Sequence, residues 1–474
     1  MQNGREASDG LERLFSPHSV AVIGASRNPS KVGHIVLDSI LKGGFPGTVY
    51  AVNPRETEIL GVQVHSSLGS VPDDIDLVVV AIPAGLVPDA LREAAGKGVG
   101  AAVVLSGGFR EAGRTDLEDQ LANVAQTTGL RILGPNCQGL NYLPSKLRAS
   151  FWFPPVTPGP VAVISQSGTV AAALAGWALD EGFGLSATVC LGNQVDVSET
   201  DAIHFFVNDV QTGALALYLE GAQQGARFSH ALRSIGAHKP IAILKGGRTT
   251  GGKRAAASHT KSLAGQDEVF SAACRQFGVV RAPDLQSLYD SSKALGTLAP
   301  PRGNRVMIVS SSGGAAILAI DAAEQAGLSV PALPAEVMEE LRGANLPRNA
   351  VYANPLDLTF CSSADFAAAL AVLRGFDLAD VYLVIFGDPI EGAADVVKDF
   401  GTSAQGRVAV AFLGGGDVEK AERSRIHAAG IPVFPTPERA ARAIGAASWW
   451  AERGRRLRNA HSPSSLDDST EVQR

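Results

Sequence analysis

The 474-residue sequence has few aromatic residues, only four cysteines and a small net charge of −6. The cysteines stand far apart, with no CxxC pair and no metal-ligand spacing, so neither a disulfide framework nor a metal site is expected. A negative chain offers no basic surface to nucleic acid. The polar N-terminus is not a signal peptide, and no apolar run is long enough to span a bilayer. These absences predict a cytoplasmic globular protein that binds neither nucleic acid nor membrane.

Glycine is abundant, with 52 residues, and short β-branched runs alternate with helix-length segments. This alternation predicts parallel sheets covered by helices. Two Pro-containing stretches, at 153–160 and 298–304, divide the chain, which suits domains of about 150 residues. The predicted fold class is therefore α/β, with a Rossmann-like domain at 11–142, further α/β domains at 158–297 and 304–451, and a disordered tail at 455–474.

The predicted strands form three series along the chain. In the first domain they are Ser19–Ile23, Val49–Val52, Leu77–Ile82, Gly100–Leu105 and Arg131–Leu133. In the second they are Pro160–Ser165, Leu185–Cys190, Ala214–Leu219 and Pro240–Lys245, and in the third Arg305–Ser310, Val381–Phe386, Val408–Phe412 and Pro432–Phe434.

The turn after the first strand is rich in small residues and opens an amphipathic helix. Small residues let the backbone approach a phosphate, and a helix N-terminus attracts negative charge. The predicted ligand-binding residues of this turn are Gly24, Ala25, Ser26, Lys31 and Gly33. The turn lacks a full GxGxxG motif, so the motif alone indicates only an anionic ligand.

The loops after the other strands narrow the choice of ligand. The second strand ends in Asn53-Pro54-Arg55, without the acid that usually holds the ribose of NAD, although Arg55 would tolerate the 2′-phosphate of NADP. Ligands of open α/β sheets bind at the carboxyl ends of strands, where the later loops lie. The candidate residues in those loops are Ile82, Pro83, Ser106, Gly107 and Asn136.

Taken in order, these loops resemble the family of nucleoside-diphosphate-forming acyl-CoA synthetases, to which succinyl-CoA synthetase belongs. In the first domain the matching segments are VAVIGASRNPSKVG, VYAVNPRETEILG, LVVVAIPAG, LSGGFREAG and LGPNCQGLN. In the second they are GPVAVISQSGTVAAAL, LGNQVDV, ALYLEG and KGGRTTGGKRAAASHTKSLAG, and in the third NRVMIVSSSGGAAILAIDAAEQAGL and ANPLDL. The similarity runs from about Leu11 to Ala451.

The resemblance implies a CoA-binding first domain and two flavodoxin-like, succinyl-CoA-synthetase-like domains. It also implies a cycle in which acyl-CoA and phosphate form an acyl phosphate, a histidine takes the phosphoryl group, and ADP receives it. In the reverse direction the cycle activates a small carboxylic acid.

His259 and Glu220 match the two catalytic residues of the family. The resemblance implies that His259 is phosphorylated and that Glu220, at the end of a strand, orients its imidazole. The Gly/Ala/Ser/Thr-rich surroundings of His259 independently predict an exposed, flexible loop, which a phosphoryl carrier needs. Without the resemblance, His259 would simply be one of nine histidines in the sequence, and Glu220 would be interpreted as a surface acid at a strand end.

A phosphohistidine carries about two negative charges that must be stabilised. Two Ser/Gly-rich strand–helix turns are suited to this, because helix N-termini bind phosphate. The first holds Ser165, Gln166, Ser167, Gly168 and Thr169, and the second holds Ser311, Ser312, Gly313 and Gly314. The resemblance implies that both helix ends serve one phosphohistidine.

Two features depart from the family. Lys261 stands where glycine is usual after Ser258-His259-Thr260, which would stiffen the loop or add a phosphate contact. The sequence also has no P-loop motif, and after Ala451 only a short polar stretch remains in place of an ATP-grasp module. The resemblance therefore implies a separate ATP-grasp subunit that binds ATP or ADP with Mg²⁺, and a hetero-oligomer.

Three functions stay open at this point. The first is the α-type catalytic subunit of an ADP-forming acyl-CoA synthetase. The second is a CoA- or acyl-CoA-binding sensor that has lost turnover. The third is a nicotinamide-dependent oxidoreductase, which only the Rossmann-like first domain supports. Retention of His259 and Glu220 argues for the first of these, because a sensor needs neither.

Overall fold

The computed structural model describes residues 10–236, 238–260 and 266–461, without the side chains of 257–260 and 459–461. Three sheets lie in this part of the chain, two of seven strands and one of five. All three are built mainly from parallel strands, and the α/β fold class is confirmed.

The first sheet has the strand order β3-β4-β2-β1-β5-β6-β7. Its strands are β1 (Ser19–Ile23), β2 (Thr48–Val52), β3 (Glu58–Ile59), β4 (Val62–His65), β5 (Leu77–Val80), β6 (Ala101–Val104) and β7 (Arg131–Leu133). Its central strands are buried on both faces. The helices of this domain are α1 (Val32–Lys42), α2 (Val87–Gly96) and α3 (Thr115–Thr128).

The second sheet has the order β14-β13-β12-β10-β11-β8-β9. Its strands are β8 (Gly139–Tyr142), β9 (Leu147–Ser150), β10 (Pro158–Ser165), β11 (Leu185–Cys190), β12 (Ala214–Leu219), β13 (Ile241–Lys245) and β14 (Val280–Ala282). Its helices are α4 (Gly168–Glu181), α5 (Glu199–Asn208), α6 (Gly225–Ile235), α7 (Thr250–Thr260), α8 (Asp267–Phe277) and α9 (Leu285–Thr297).

The third sheet has the order β16-β15-β17-β18-β19. Its strands are β15 (Val306–Ser310), β16 (Leu356–Asp357), β17 (Val381–Phe386), β18 (Val408–Phe412) and β19 (Val433–Phe434). Its helices are α10 (Gly313–Gln325), α11 (Ala335–Gly343), α12 (Ser363–Leu373), α13 (Ala393–Ser403), α14 (Gly416–Ala428) and α15 (Pro437–His461).

The second and third domains share one hydrophobic cluster. Alanine-rich faces of α4 and α10 lie in it together with α9 and α15. Small side chains allow helices to pack closely, so the two helices that carry the Ser/Gly-rich turns are held in one packed unit.

The structure differs from the predicted boundaries at two places. Residues 139–142, assigned to the first domain from sequence, form β8 of the second sheet, where β8 pairs antiparallel with β11. Helix α15 continues to His461, past residue 455 where the polar tail was expected. Arg455 anchors this extension, because its guanidinium donates to the carbonyl of Pro301 at 2.7 Å. The rest of the predicted tail, 462–474, lies outside the described residues.

Candidate active site

The turn between β10 and α4 is closed by two serines. The hydroxyl of Ser165 donates to the carbonyl of Ser167 at 2.6 Å and accepts from its N–H at 3.0 Å. The hydroxyl of Ser167 then caps the helix, accepting from the N–H of Val170 at 3.4 Å. Ser167, Gly168 and Thr169 are partly or fully exposed at this helix end, whereas Ser165 is buried.

The turn between β15 and α10 repeats this arrangement bond for bond. Ser310 donates to the carbonyl of Ser312 at 2.9 Å and accepts from its N–H at 3.0 Å, and Ser312 accepts from the N–H of Ala315 at 3.4 Å. Gly313 and Gly314 follow at the accessible end. The two predicted phosphate sites are therefore two copies of one structure, each with free N–H groups at a helix N-terminus.

The second residue of each turn points the other way, toward the neighbouring strand. The amide oxygen of Gln166 accepts the N–H groups of Glu220 at 2.6 Å and Gly221 at 3.2 Å. The hydroxyl of Ser311 likewise accepts the N–H of Gly387 at 2.8 Å. Gln166 and Ser311 were predicted to bind phosphate, but in the structure both hold the backbone of an adjacent loop.

Glu220 directly follows β12, at the same sheet edge as the turn after β10. Glu220 is buried. Burial raises the pKa of the neighbouring Tyr218 phenol, and the Glu220 carboxylate raises it further. Gly246 follows β13 beside it, and a Cβ at Gly246 would lie 2.9 Å from the Tyr218 hydroxyl and 3.7 Å from Cγ of Glu220. The two strand ends are thus in close contact, as the predicted site requires.

The segment that carries His259 is a helix, not the predicted loop. Helix α7 spans Thr250–Thr260. The Thr249 hydroxyl accepts the N–H of Gly252 at 3.1 Å, and a threonine cap followed by alanines favours a helix despite the glycines of the first turn. The side chain of His259, and Lys261 altogether, lie outside the described residues.

The predicted CoA turn of the first domain has a tight backbone. Gly24 has a φ of 90°, and a Cβ at Gly33 would lie 1.9 Å from the carbonyl oxygen of Gly24. Asn53 fixes the turn from the second strand, because its amide donates to the carbonyl of Ala25 at 2.6 Å. Asn53 also accepts the N–H of Arg55 at 2.9 Å, which leaves Pro54 and the Arg55 side chain exposed.

An open cavity of about 560 Å³ lies beside this turn. It is lined by Arg27, His34 and residues of the β3–β4 hairpin, and the ring of His34 hydrogen-bonds to the carbonyl of Ser26 at 2.7 Å. Lys31 lies exposed at the N-terminal end of α1. The hairpin was missed from the sequence because its strands have only two and four residues.

The later loops of the first domain meet one another at the carboxyl edge of the sheet. Ser106 donates to the carbonyl of Ile82 at 2.5 Å, and the N–H of Asn136 donates to the carbonyl of Ser106 at 2.9 Å. Pro83 and Gly107 are exposed there. The structure therefore brings these predicted residues together.

The loop after β11, which holds Asn193, joins this edge to the second domain. Asn193 donates to the carboxylates of Glu111 at 2.8 Å and Glu118 at 2.9 Å. Burial raises the pKa of Glu111, but the bonds from Asn193 and from backbone N–H groups outweigh it, and the net pKa is lowered. The motif LGNQVDV could have indicated this loop from the sequence, because its polar pair Asn193-Gln194 interrupts an apolar run.

Within the residues that the structure describes, no helix is both long and apolar enough to cross a membrane. No three His, Cys, Asp or Glu side chains of that part come together in a group that could hold a metal ion.

Two domain families, of the CoA-binding and CoA ligase types, match the first two α/β domains of this fold. A CoA-binding domain family matches residues 18–142, and the succinyl-CoA ligase like flavodoxin domain matches residues 158–295. The acetate–CoA ligase [ADP-forming] I subunit alpha of Pyrococcus furiosus is 39% identical over 456 residues, which cover 93% of this chain and 98% of that protein.

A solved structure agrees with this relationship. The acetyl-coenzyme A synthetase 1 of Ca. Korarchaeum cryptofilum, in complex with phosphate and ADP, matches 96% of this chain and 99% of its own with 34% identity and a TM-score of 0.88. The chain belongs to the family of ADP-forming acetate–CoA ligases. It is therefore an acid–thiol ligase, an acyl-CoA synthetase, and the oxidoreductase alternative is wrong.

The relatives differ in how much of their own length this chain covers. The chain covers 63% of the acetate–CoA ligase [ADP-forming] I of Archaeoglobus fulgidus, at 37% identity. The two acetate–CoA ligase [ADP-forming] alpha subunits of Pyrococcus furiosus are covered almost end to end, at 98% and 95%.

Proposed function

We propose that this chain is the CoA-binding, phosphohistidine-bearing subunit of an acyl-CoA synthetase that converts acid, CoA and ATP to acyl-CoA, ADP and phosphate. The observation that carries the proposal is the pair of matching helix-end turns, at Ser167 and Ser312. A CoA-binding sensor has no need for two such helix ends, or for the buried Glu220 at the sheet edge of the first.

In the acyl-CoA-consuming direction, a phosphate oxygen attacks the thioester carbonyl and the CoA thiolate leaves, which gives an acyl phosphate. An imidazole nitrogen of His259 then attacks the phosphorus, and the carboxylate of the acid leaves. Glu220 accepts a hydrogen bond from the other ring N–H, which fixes the tautomer and stabilises the positive charge that forms. Free N–H groups at the α4 and α10 termini hold the phosphoryl oxygens.

The transfer to ADP belongs to a separate ATP-grasp subunit, which would also bind Mg²⁺. The difference in coverage between the acetate–CoA ligase I alpha subunit of Pyrococcus furiosus and the longer acetate–CoA ligase I of Archaeoglobus fulgidus supports this division, because more than a third of the longer protein lies outside the match. The complete enzyme would then be a hetero-oligomer in the cytoplasm.

The test is phosphorylation of the purified chain, with and without its ATP-grasp partner. Labelled phosphate is added with acetyl-CoA, 4-hydroxybutyryl-CoA or feruloyl-CoA, the acyl groups named in the relatives. We expect acid-labile, base-stable label on the wild type and on His230→Ala, a matched change at an exposed histidine, but none on His259→Ala. Tight CoA binding without label under any condition would favour the sensor and refute the proposal.

A further inference from the structure

A chain of buried amide hydrogen bonds begins at Glu220. Besides accepting the two backbone N–H groups, the Gln166 side chain donates to the carbonyl of Gly221 at 2.7 Å and to the amide oxygen of Gln194 at 3.0 Å. A glutamine amide has two N–H groups and an oxygen with two lone pairs, so every position of Gln166 is occupied. Its orientation is therefore fixed by the protein, with no position left for phosphate.

The chain continues through Gln194 to Glu199. The amide nitrogen of Gln194 donates to a carboxylate oxygen of Glu199 at 2.8 Å. Because the Gln194 oxygen accepts from Gln166, its nitrogen must face this carboxylate. Glu199 is only 1% exposed, and this burial raises the pKa of its carboxyl, although the hydrogen bond from Gln194 and the position at the N-terminus of α5 oppose that effect.

The Asn193–Gln194 loop also holds the first domain. Residues 193–197 run beside 132–135, with the N–H of Asn193 donating to the carbonyl of Pro135 at 2.9 Å and that of Val195 to Gly134 at 3.0 Å. Gln194 has a φ of 56°, so its side chain turns to the second domain while that of Asn193 reaches Glu111 and Glu118. Two adjacent side chains thus connect the CoA-binding loops with the backbone of Glu220.

We propose that the chain Glu199–Gln194–Gln166 positions Glu220 for phosphoryl transfer, and that Gln194 and Glu199 are positioning residues of that step. This inference rests on the proposed function. Both residues act through Gln166 and the Glu220–Gly221 backbone. Misplacement of a catalytic group by about 1 Å can cost about 10²-fold in rate, so a second layer of fixed hydrogen bonds has a large effect.

The test exchanges the donor and acceptor between Gln194 and Glu199. In Gln194→Glu two carboxylates face each other, and one must be protonated or move away. We expect the rate of His259 labelling at neutral pH to fall roughly 10–100-fold, with little change in the KM for acyl-CoA. Gln194→Glu/Glu199→Gln restores one donor and one acceptor in exchanged positions, and should recover most of the rate.

The pH profile separates positioning from a general loss of structure. A proton held between residues 194 and 199 in Gln194→Glu replaces the missing N–H donor, so labelling should recover as the pH falls. The wild type and the exchanged double variant carry an amide donor and should lack this recovery. Gln211→Glu, the same change at an exposed site, is the matched control and should behave as wild type.

A second measurement needs no turnover. Gln194→Leu, or Gln194→Asn if the leucine variant does not fold, should increase hydrogen exchange at the Glu220 and Gly221 amides, which Gln166 otherwise protects. Unchanged exchange there, a wild-type labelling rate in Gln194→Glu at every pH, or a double variant no faster than Gln194→Glu would each overturn the inference. Absence of label in the wild type would instead refute the proposed function, and the exchange measurement would still test the positioning.

Discussion

The ammonium group of Lys293 lies 2.5 Å from a carboxylate oxygen of Glu181, and the lysine side chain is completely buried. Glu181 is the last residue of α4, and Lys293 lies on α9. The same ammonium donates to the carbonyl of Val433, in the third domain, at 2.6 Å. A single buried cation therefore joins the C-terminal end of the helix that carries Ser167 to the neighbouring domain.

Lys293→Met should strongly destabilise the protein. Removing one partner of a buried ion pair typically costs about 3–5 kcal/mol. We expect the lower end of this range, because Arg439 at 3.7 Å and the Tyr289 hydroxyl at 3.0 Å still stabilise the Glu181 carboxylate. Lys42→Met is the matched control, since Lys42 forms an exposed pair with Asp38 at 2.7 Å and should change stability by only about 0.5 kcal/mol. Urea unfolding measures both. Equal effects of the two changes would contradict the importance of the buried pair.

The stability of the wild type should fall between pH 7 and pH 5 because of His427. Both ring nitrogens are buried. Burial, with the positive charges of Lys293 and Arg423, lowers the pKa of His427 well below its usual value, against a smaller opposing effect of the Ile431 backbone. The unfolded state takes up a proton near the ordinary pKa of about 6.5 and the native state does not, so the free energy of unfolding decreases as the pH falls through that value.

His427→Phe provides the comparison for this pH effect. It keeps an aromatic ring against Phe183, whose centroid lies 5.4 Å away, and it cannot titrate. Between pH 6 and pH 5 the wild type should lose up to about 1.4 kcal/mol per pH unit relative to the variant. The same pH dependence of the free energy of unfolding in both proteins would show that native His427 takes up its proton as readily as the unfolded chain does, which would contradict the prediction.

Most of the fold could be predicted, because buried parallel strands are continuous apolar runs. The predicted strand Ser19–Ile23 has the observed bounds, and so have Leu185–Cys190 and Val408–Phe412. The β3–β4 hairpin could not be predicted in this way, since it is short and turns at Leu60, a residue with a positive φ. The assignment of β8 to the second sheet depends on pairing between distant strands, which local periodicity does not encode.

The candidate site could be predicted as a set of residue types but not as a set of roles. The sequence predicts that Gln166 and Ser311 bind phosphate, but in the structure their side chains accept N–H groups that follow the neighbouring strands. Gln194 and Glu199 become visible only when three separate segments are brought together.

The caps of α4 and α10 should contribute to both stability and phosphate binding. Ser167→Ala and Ser312→Ala each remove a cap, at a cost of about 1 kcal/mol, and should raise the KM for phosphate in acyl-CoA phosphorolysis. Asp284→Ala is the control, because Asp284 caps α9 by accepting the N–H of Ser287 at 2.7 Å. It should lose similar stability with an unchanged KM. A raised KM in all three variants would mean that the effect is one of general destabilisation.

Gly33→Ala should abolish CoA binding at the first turn. A Cβ there would lie 1.9 Å from the carbonyl oxygen of Gly24 and 3.2 Å from Cα of Ala25, and because both contacts are backbone atoms the turn itself must move. Gly96→Ala is the matched control, since nothing lies within 4 Å of its Cβ position at the end of α2, and it should stabilise that helix by up to about 1 kcal/mol. Calorimetric titration with CoA and thermal unfolding measure the two effects. Wild-type affinity in a folded Gly33→Ala variant would show that the turn between β1 and α1 does not form the CoA site.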